Sequence, residues 1–309
     1  MKTGKELTVK QLITSAHGIA VSLIKRGITK SDIILCFSAN NLEYAVLMFA
    51  IYFLGNTFTP VSPTNGVFEL KNQMKDSGST FIFTSLSNAH IVDKILNDHN
   101  NSDLKEQIKL MVVFDGTHNH FLPFSQLLNE GKNEKLQRIP YFDVNPKIDL
   151  FAIVYTSGTT GLPKGAMLTH YNAVACLKDF NTCFNVFFGF NLRIAGIYPF
   201  GHMSGAFCVP NWISSGNTIV IYDVNDEELI LQSVEKYRLD MLPLFPAFGY
   251  RILDEHSKNN YDLSTLKFMG TAGSKFPGNV AKELIEKLNV KFCEGFNSIL
   301  TIIDINNDF

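Results

Sequence analysis

The chain has 309 residues, 46% of them hydrophobic, enough to bury a large core and more than one compact core ordinarily holds, so two lobes are expected. Its 27 basic and 29 acidic residues leave a net charge of −2, without the basic excess or polybasic tail that suits nucleic acid, and no nucleic-acid partner is expected. The five cysteines, Cys36, Cys176, Cys183, Cys208 and Cys293, form no C-x-x-C pair and stand mostly in apolar contexts, as reduced buried thiols do, which favours an intracellular protein.

Behind the charged start Met1 to Glu6 there is no apolar segment of the signal-peptide kind. Thr8-Val9-Lys10-Gln11 reads as a capping box; Leu12, Ala16, Ile19, Ala20 and Leu23 follow at helical spacing and Gly27 supplies the stop, which predicts an amphipathic helix. Ile33 to Phe37 reads as a strand, Leu42 to Leu54 as a helix, Thr57 to Val61 as a strand, Val67 to Asp76 as a helix and Thr80 to Thr84 as a strand. The apolar block Tyr44 to Leu54 is too short to cross a bilayer and is a core helix; no transmembrane segment is expected. A helix near Ile91 to Leu96 and a strand at Leu110 to Phe114 continue the alternation, which means a parallel sheet, and the polar stretch Asn129 to Pro146 has linker character. Later come a helix over Tyr171 to Val186, a strand over Arg193 to Tyr198 and a helix near Asn279 to Leu288.

The most informative stretch is Tyr155-Thr156-Ser157-Gly158-Thr159-Thr160-Gly161-Leu162-Pro163-Lys164-Gly165, fed by the apolar run Leu150 to Tyr155. Glycines permit close backbone approach and positive φ, hydroxyls add donors, and one ammonium supplies charge where triphosphate oxygens gather. A Walker A loop would need Gly-Lys-Ser/Thr leading into a helix, whereas this chain reads Pro163-Lys164-Gly165. A dinucleotide-binding fold would need G-x-G-x-x-G after the first strand, where Cys36-Phe37-Ser38-Ala39-Asn40-Asn41 stands instead.

On these residues, continued by Ala166-Met167-Leu168-Thr169-His170, the chain resembles the adenylate-forming superfamily of acyl-CoA synthetases, coumarate-CoA ligases, beetle luciferases and peptide-synthetase adenylation domains. The resemblance implies that Thr156, Ser157, Gly158, Thr159, Thr160, Gly161 and Lys164 surround the β- and γ-phosphates of ATP. Tyr198-Pro199-Phe200-Gly201-His202-Met203-Ser204-Gly205 is similar to the family's second signature, which places His202 near the reacting carboxylate. Without the resemblance, His202 would be an ordinary hydrogen-bonded or exposed histidine. Leu266 to Ser274 resembles the strand and turn that pack on adenine, with Ala272, Gly273 and Ser274 as contacts; the plain reading is a strand-to-helix turn.

After Val290-Lys291-Phe292-Cys293 the resemblance holds through Glu294-Gly295-Phe296, which implies further contacts to the nucleotide, and then stops. Ile299 and Leu300 stand where the family has a phosphate-binding threonine and a magnesium-binding glutamate, and neither side chain can donate a hydrogen bond or coordinate a hard cation, so no metal ligand is expected.

For the fold, the resemblance implies an α/β chain of two doubly wound α/β subdomains, residues 28–190 with the phosphate loop and residues 191–309, with helix 8–26 packing on the second. The family's β-barrel and mobile C-terminal lid, whose lysine serves adenylation, are expected to be missing, so that the chain reads as truncated. Two functions follow. One is an ATP-dependent carboxylic acid–CoA ligase of the kind found in fatty acid metabolism, forming an acyl-adenylate and then a thioester with CoA, with Mg2+ and CoA belonging to the intact family. The other is a catalytically inactive form that keeps partial binding of ATP or AMP. Aromatic and small residues at Phe184 to Phe190 and His202 to Phe207 suggest an apolar acyl or aryl acid, although 26 phenylalanines are spread through the chain. A cytoplasmic or a peroxisomal location is left open; Asn307-Asp308-Phe309 is not a peroxisomal address.

Overall fold

The computed structural model describes residues 3–132, 141–156, 163–223, 226–259, 261–272 and 275–295. They fall into two α/β units: Glu6–Ala175 with Pro199–Ala206, and Cys176–Tyr198 with the chain from Phe207 onward.

The first unit begins with helix α1, Val9–Lys25, and strand β1, Ile33–Phe37. It continues through α2 (Leu42–Leu54), β2 (Thr57–Val61), α3 (Val67–Ser77), β3 (Phe81–Thr84), α4 (Leu86–Leu96), α5 (Ser102–Gln107), β4 (Leu110–Val113), β5 (Leu122–Pro123) and α6 (Phe124–Gly131). It closes with β6 (Leu150–Thr156), β7 (Lys164–Thr169) and the start of α7 (His170–Phe188). The strands form one sheet in the order β5-β4-β3-β1-β2-β6-β7. Every pairing is parallel except β6 with β7. The chain builds outward from β1 to β2 on one side and then to β3 on the other, as a doubly wound sheet does.

Helices cover both faces of that sheet, which is why β1 and β3 read as continuous apolar runs: Ile34, Leu35, Cys36 and Phe37 are fully buried, as are Phe81, Ile82 and Phe83. The same cause makes α2 apolar around most of its circumference, with Tyr44, Leu47, Met48, Ala50, Ile51 and Leu54 all buried. Asn41 caps it by accepting from the Tyr44 N–H at 2.6 Å, and Gly55 ends it in the left-handed conformation.

Helix α1 carries the expected capping box, in which the Gln11 N–H donates to the Thr8 hydroxyl at 3.2 Å and the Thr8 N–H to the Gln11 side chain at 2.8 Å. Its buried stripe includes Leu12, Ala16, Ile19, Ala20 and Leu23, and each fully buried leucine or isoleucine contributes roughly 1.5–3 kcal/mol. The expectation that this helix packs on the second unit is corrected. The Ser22 hydroxyl donates to the Leu127 carbonyl of α6 at 2.8 Å and Arg26 pairs with Glu130 at 2.6 Å, so α1 is held inside the first unit. Its apolar stripe fits any apolar face, and only the folded chain selects which one.

The second unit takes the rest of α7, then β8 (Arg193–Gly196), most of α8 (Met203–Ser214), β9 (Thr218–Ile221), α9 (Glu227–Tyr237) and β10 (Met241–Leu244). It ends with α10 (Pro246–Asn259), β11 (Phe268–Ala272), α11 (Gly278–Leu288) and β12 (Lys291–Gly295). Its five strands are all parallel, in the order β12-β11-β10-β8-β9. Again the chain goes to one side of its first strand and then to the other.

Phe184 is buried in this unit against Phe180, Phe188 and Trp212, and Phe188 meets Phe268 edge-on at 5.1 Å. That part of the aromatic run at Phe184 to Phe190 is core packing. No helix among the described residues is long and apolar enough to cross a membrane.

Candidate functional site

Strands β6 and β7 form a hairpin whose last rung pairs Thr156 with Lys164, so the seven residues 157–163 close between two cross-strand neighbours. The sequence reading treats both residues as loop; the structure makes them the ends of an antiparallel ladder, because Lys164 to Thr169 pairs back along the apolar run that feeds the loop. Lys164 is exposed, and neither a carboxylate partner for it nor a partner for the Thr156 hydroxyl is found among the described residues. Ser157, Gly158, Thr159, Thr160 and Gly161 lie outside the described residues.

The base of the hairpin is fixed from below. Tyr155 donates its hydroxyl hydrogen to the Asp76 carboxylate of α3 at 2.5 Å, and burial together with that carboxylate holds the phenol above its usual range. Gly165 lies against this ring: a side-chain carbon there would meet Ile153 Cγ2 at 2.8 Å and the Tyr155 ring at 3.0 Å. Glycine is the residue that lets the second arm of the hairpin lie flat over the tyrosine. Neither Tyr155 nor Asp76 stands out in the sequence as a site residue, since their contact spans 79 positions.

His202 belongs to the first unit, not to the second as its chain position suggests. The segment Pro199 to Ala206 is tied to the carboxyl ends of β1 and β2. The Phe200 N–H donates to Asn40 Oδ1 at 2.7 Å, the Tyr44 hydroxyl reaches the Phe200 carbonyl at 3.4 Å, and Gly201 lies directly on the Val61 carbonyl. The β2–β6 register pairs Phe58 with Ala152, and continuing it sets Val61 level with Tyr155. The histidine turn and the mouth of the Thr156–Lys164 hairpin therefore share one sheet edge, at strand carboxyl ends where open α/β sheets hold ligands.

The imidazole is oriented locally. His202 Nδ1 accepts the Ser204 backbone N–H at 3.2 Å, with the Ser204 hydroxyl 2.9 Å away, which leaves the proton of the neutral ring on Nε2. Crowding by its neighbours lowers the ring's pKa through desolvation, although the residue keeps an open edge to solvent. The chemical result is a neutral imidazole presenting an N–H donor, suited to a carboxylate oxygen.

In the second unit the last rung of β11 with β12 pairs Ala272 with Gly295, and the rung before it pairs Thr271 with Glu294. Glu294 accepts the Phe276 N–H at 2.8 Å, so its carboxylate ties Phe276 to the end of β12. That makes Glu294 a positioning residue on present geometry. Gly273, Ser274 and Phe296 lie outside the described residues, as do Ile299 and Leu300.

Two doubly wound α/β units with candidate residues at strand carboxyl ends define a class of proteins that bind ligands at those edges. A model of the AMP-binding enzyme family matches residues 1–297, and the chain belongs to that family. It is 28% identical over 305 residues to a probable CoA ligase, CCL5, of Humulus lupulus, covering 95% of this chain and 52% of that one. It is 26% identical over 318 residues to the long-chain-fatty-acid–CoA ligase of Bacillus subtilis, covering 95% and 55%. Among solved structures it resembles the N-terminal domain of FACL13 from Mycobacterium tuberculosis, with a TM-score of 0.85 at 20% identity over 97% of this chain and 71% of that one. A long-chain-fatty-acid-CoA ligase (FadD1) of Archaeoglobus fulgidus gives 0.81 at 21% identity, over 96% and 59%. The chain spans about half the length of the curated relatives it matches.

Proposed function

We propose that this chain carries the nucleotide-binding part of an ATP-dependent carboxylic acid–CoA ligase. The observation that carries the reading is the hairpin closed by Thr156 and Lys164, with the His202 turn on the same sheet edge, in a chain of the AMP-binding family. An ammonium and a hydroxyl with no partner among the described residues flank the glycine- and hydroxyl-rich stretch, which fits a polyphosphate. In the second unit Thr271 Oγ1 is buried without a hydrogen-bond partner among the described residues, one residue before Ala272, a hydroxyl available to a polar ligand at the strand end assigned to adenine.

The chemistry asked of such a site is activation of a poor electrophile. A carboxylate oxygen attacks the α-phosphorus of ATP and pyrophosphate leaves; the thiol sulfur of CoA then attacks the acyl carbon and AMP leaves. The residues of this chain act by position and charge: Lys164 and the loop hold the departing phosphates, and His202, neutral with Nε2–H outward, orients the acid. The acid is assigned as an apolar acyl or aryl carboxylate, in keeping with relatives named for long-chain fatty acids and 4-coumarate. The side chains of Ile299 and Leu300 offer no oxygen or nitrogen where the family has a phosphate-binding threonine and a magnesium-binding glutamate, and no step is routed through that ion.

That same pair of side chains favours a second reading, in which the chain binds ATP or AMP without turnover. Acid-dependent ATP–pyrophosphate exchange separates the two: exchange above background with an aryl or fatty acid supports the ligase. Nucleotide binding by calorimetry without exchange supports the inactive form, and absence of both defeats the assignment.

A further inference from the structure

At the far end of the first unit's sheet, three side chains converge on one point. Asp93 projects from α4, and His118 and His120 come from the connection between β4 and β5. His118 Nε2 lies 3.4 Å from one oxygen of Asp93 and His120 Nδ1 lies 3.2 Å from the other, and the three ligating atoms are all within 4.8 Å of one another. Strand β4 is four strands from β6, roughly 19 Å at the usual 4.8 Å spacing, so this cluster is separate from the nucleotide edge.

The geometry points to a binding site for one divalent transition-metal ion of the zinc class, held by Asp93, His118 and His120. Charge-assisted hydrogen bonds between imidazolium and carboxylate close to about 2.7–2.9 Å, shorter than either contact here. The two contacts go to different oxygens of Asp93, so the carboxylate faces both imidazoles and can share one ion with them through bonds of about 2.0–2.1 Å. Two imidazoles and one carboxylate are also a donor set that such ions prefer, leaving a fourth position for water.

The local fold holds the two histidines to this arrangement. The Phe121 N–H donates to the His118 carbonyl at 3.2 Å, making a tight turn, and the His118 ring packs edge-on to Phe121 at 4.9 Å. Ligation through His118 Nε2 puts the ring proton on Nδ1, which now receives only a 3.5 Å contact from the His120 N–H. A contact at that length is surrendered at little cost.

The test is titration of the full 309-residue chain with Zn2+ against a colorimetric chelator, paired with Co2+ spectra. One ion per chain is expected, with visible d–d bands of cobalt and no thiolate charge-transfer band, and His118→Ala, His120→Ala and Asp93→Asn should each weaken binding at least tenfold. Asp93→Asn keeps size and hydrogen bonding, so it stays informative where an alanine variant fails to fold, as judged by far-UV circular dichroism. Absence of one-to-one binding, a thiolate band that tracks the bound ion, or unchanged affinity in folded His118→Ala/His120→Ala overturns the site.

Discussion

Gly201 rests on the carbonyl group of Val61 so closely that no side chain fits between them, and a carbon added at Gly205 would likewise strike the Pro199 carbonyl. The first contact seats the His202 turn on the end of β2, and the second closes the turn on itself. Gly201→Ala and Gly205→Ala are each expected to destabilise the first unit by about 1–3 kcal/mol, the usual cost of forcing atoms into filled space. Gly278→Ala, at a helix start where an added carbon meets nothing, should be neutral or stabilising by up to about 1 kcal/mol. Urea unfolding of the three variants checks this, and equal effects at all three positions would refute the packing account.

Lys164 is exposed at the second arm of the hairpin, so its removal should spare the fold and strike the ligand. Lys164→Ala is expected to raise the dissociation constant for ATP at least tenfold while leaving the unfolding midpoint within about 0.5 kcal/mol of the parent. AMP, which lacks the distal phosphates, should lose less. Calorimetry with both nucleotides decides it; identical losses would place the amine elsewhere.

The ring of His202 should be found as the Nε2–H tautomer with a pKa below the ordinary histidine value of 6.5, because desolvation disfavours its charged form. His170 is shifted in the same direction by its own burial. Since the folded state then binds fewer protons than the unfolded chain, stability rises with pH through the window between the folded pKa and about 6.5, and falls on acidification through it. Imidazole nitrogen NMR reads tautomer and titration together, and a proton found on Nδ1, or titration above 6.5, contradicts the proposed donor role.

Asp32 ties together the amino ends of three strands. It accepts the Thr29 N–H at 2.7 Å and the Thr80 hydroxyl at 2.7 Å, and pairs with Lys109 at 2.7 Å. Burial raises its pKa, but Lys109, Thr80 and Thr29 outweigh that and keep the carboxyl below the usual range. Its contribution is therefore present above about pH 3.9 and lost as pH falls through the folded value. Asp32→Asn should cost about 2–3 kcal/mol at pH 7, and much less at an acidic pH below the folded value, where the parent carboxyl has taken up its proton. Chemical denaturation at both pH values tests the sign.

Local order along the chain was legible wherever burial imposed a period. The bounds read for β1, α2 and β2 are those found, because strands covered on both faces and a helix buried nearly all round leave long apolar runs between turn residues. The capping box at Thr8 was legible for a similar reason: it depends on residues adjacent in sequence. The strand β7 was not, since Lys164 to Thr169 shows no strand period of its own and pairs only because β6 is there to meet it.

The sequence by itself determined the α/β class and the family, because these rest on short-range patterns of residues. Only the tertiary structure decided that α1 belongs with α6, that His202 sits on the edge of the first sheet, and that Tyr155 reaches Asp76. Each of those contacts joins residues far apart in the chain, and an apolar stripe, a histidine or a tyrosine carries no mark of its distant partner until closure of the chain brings the two together.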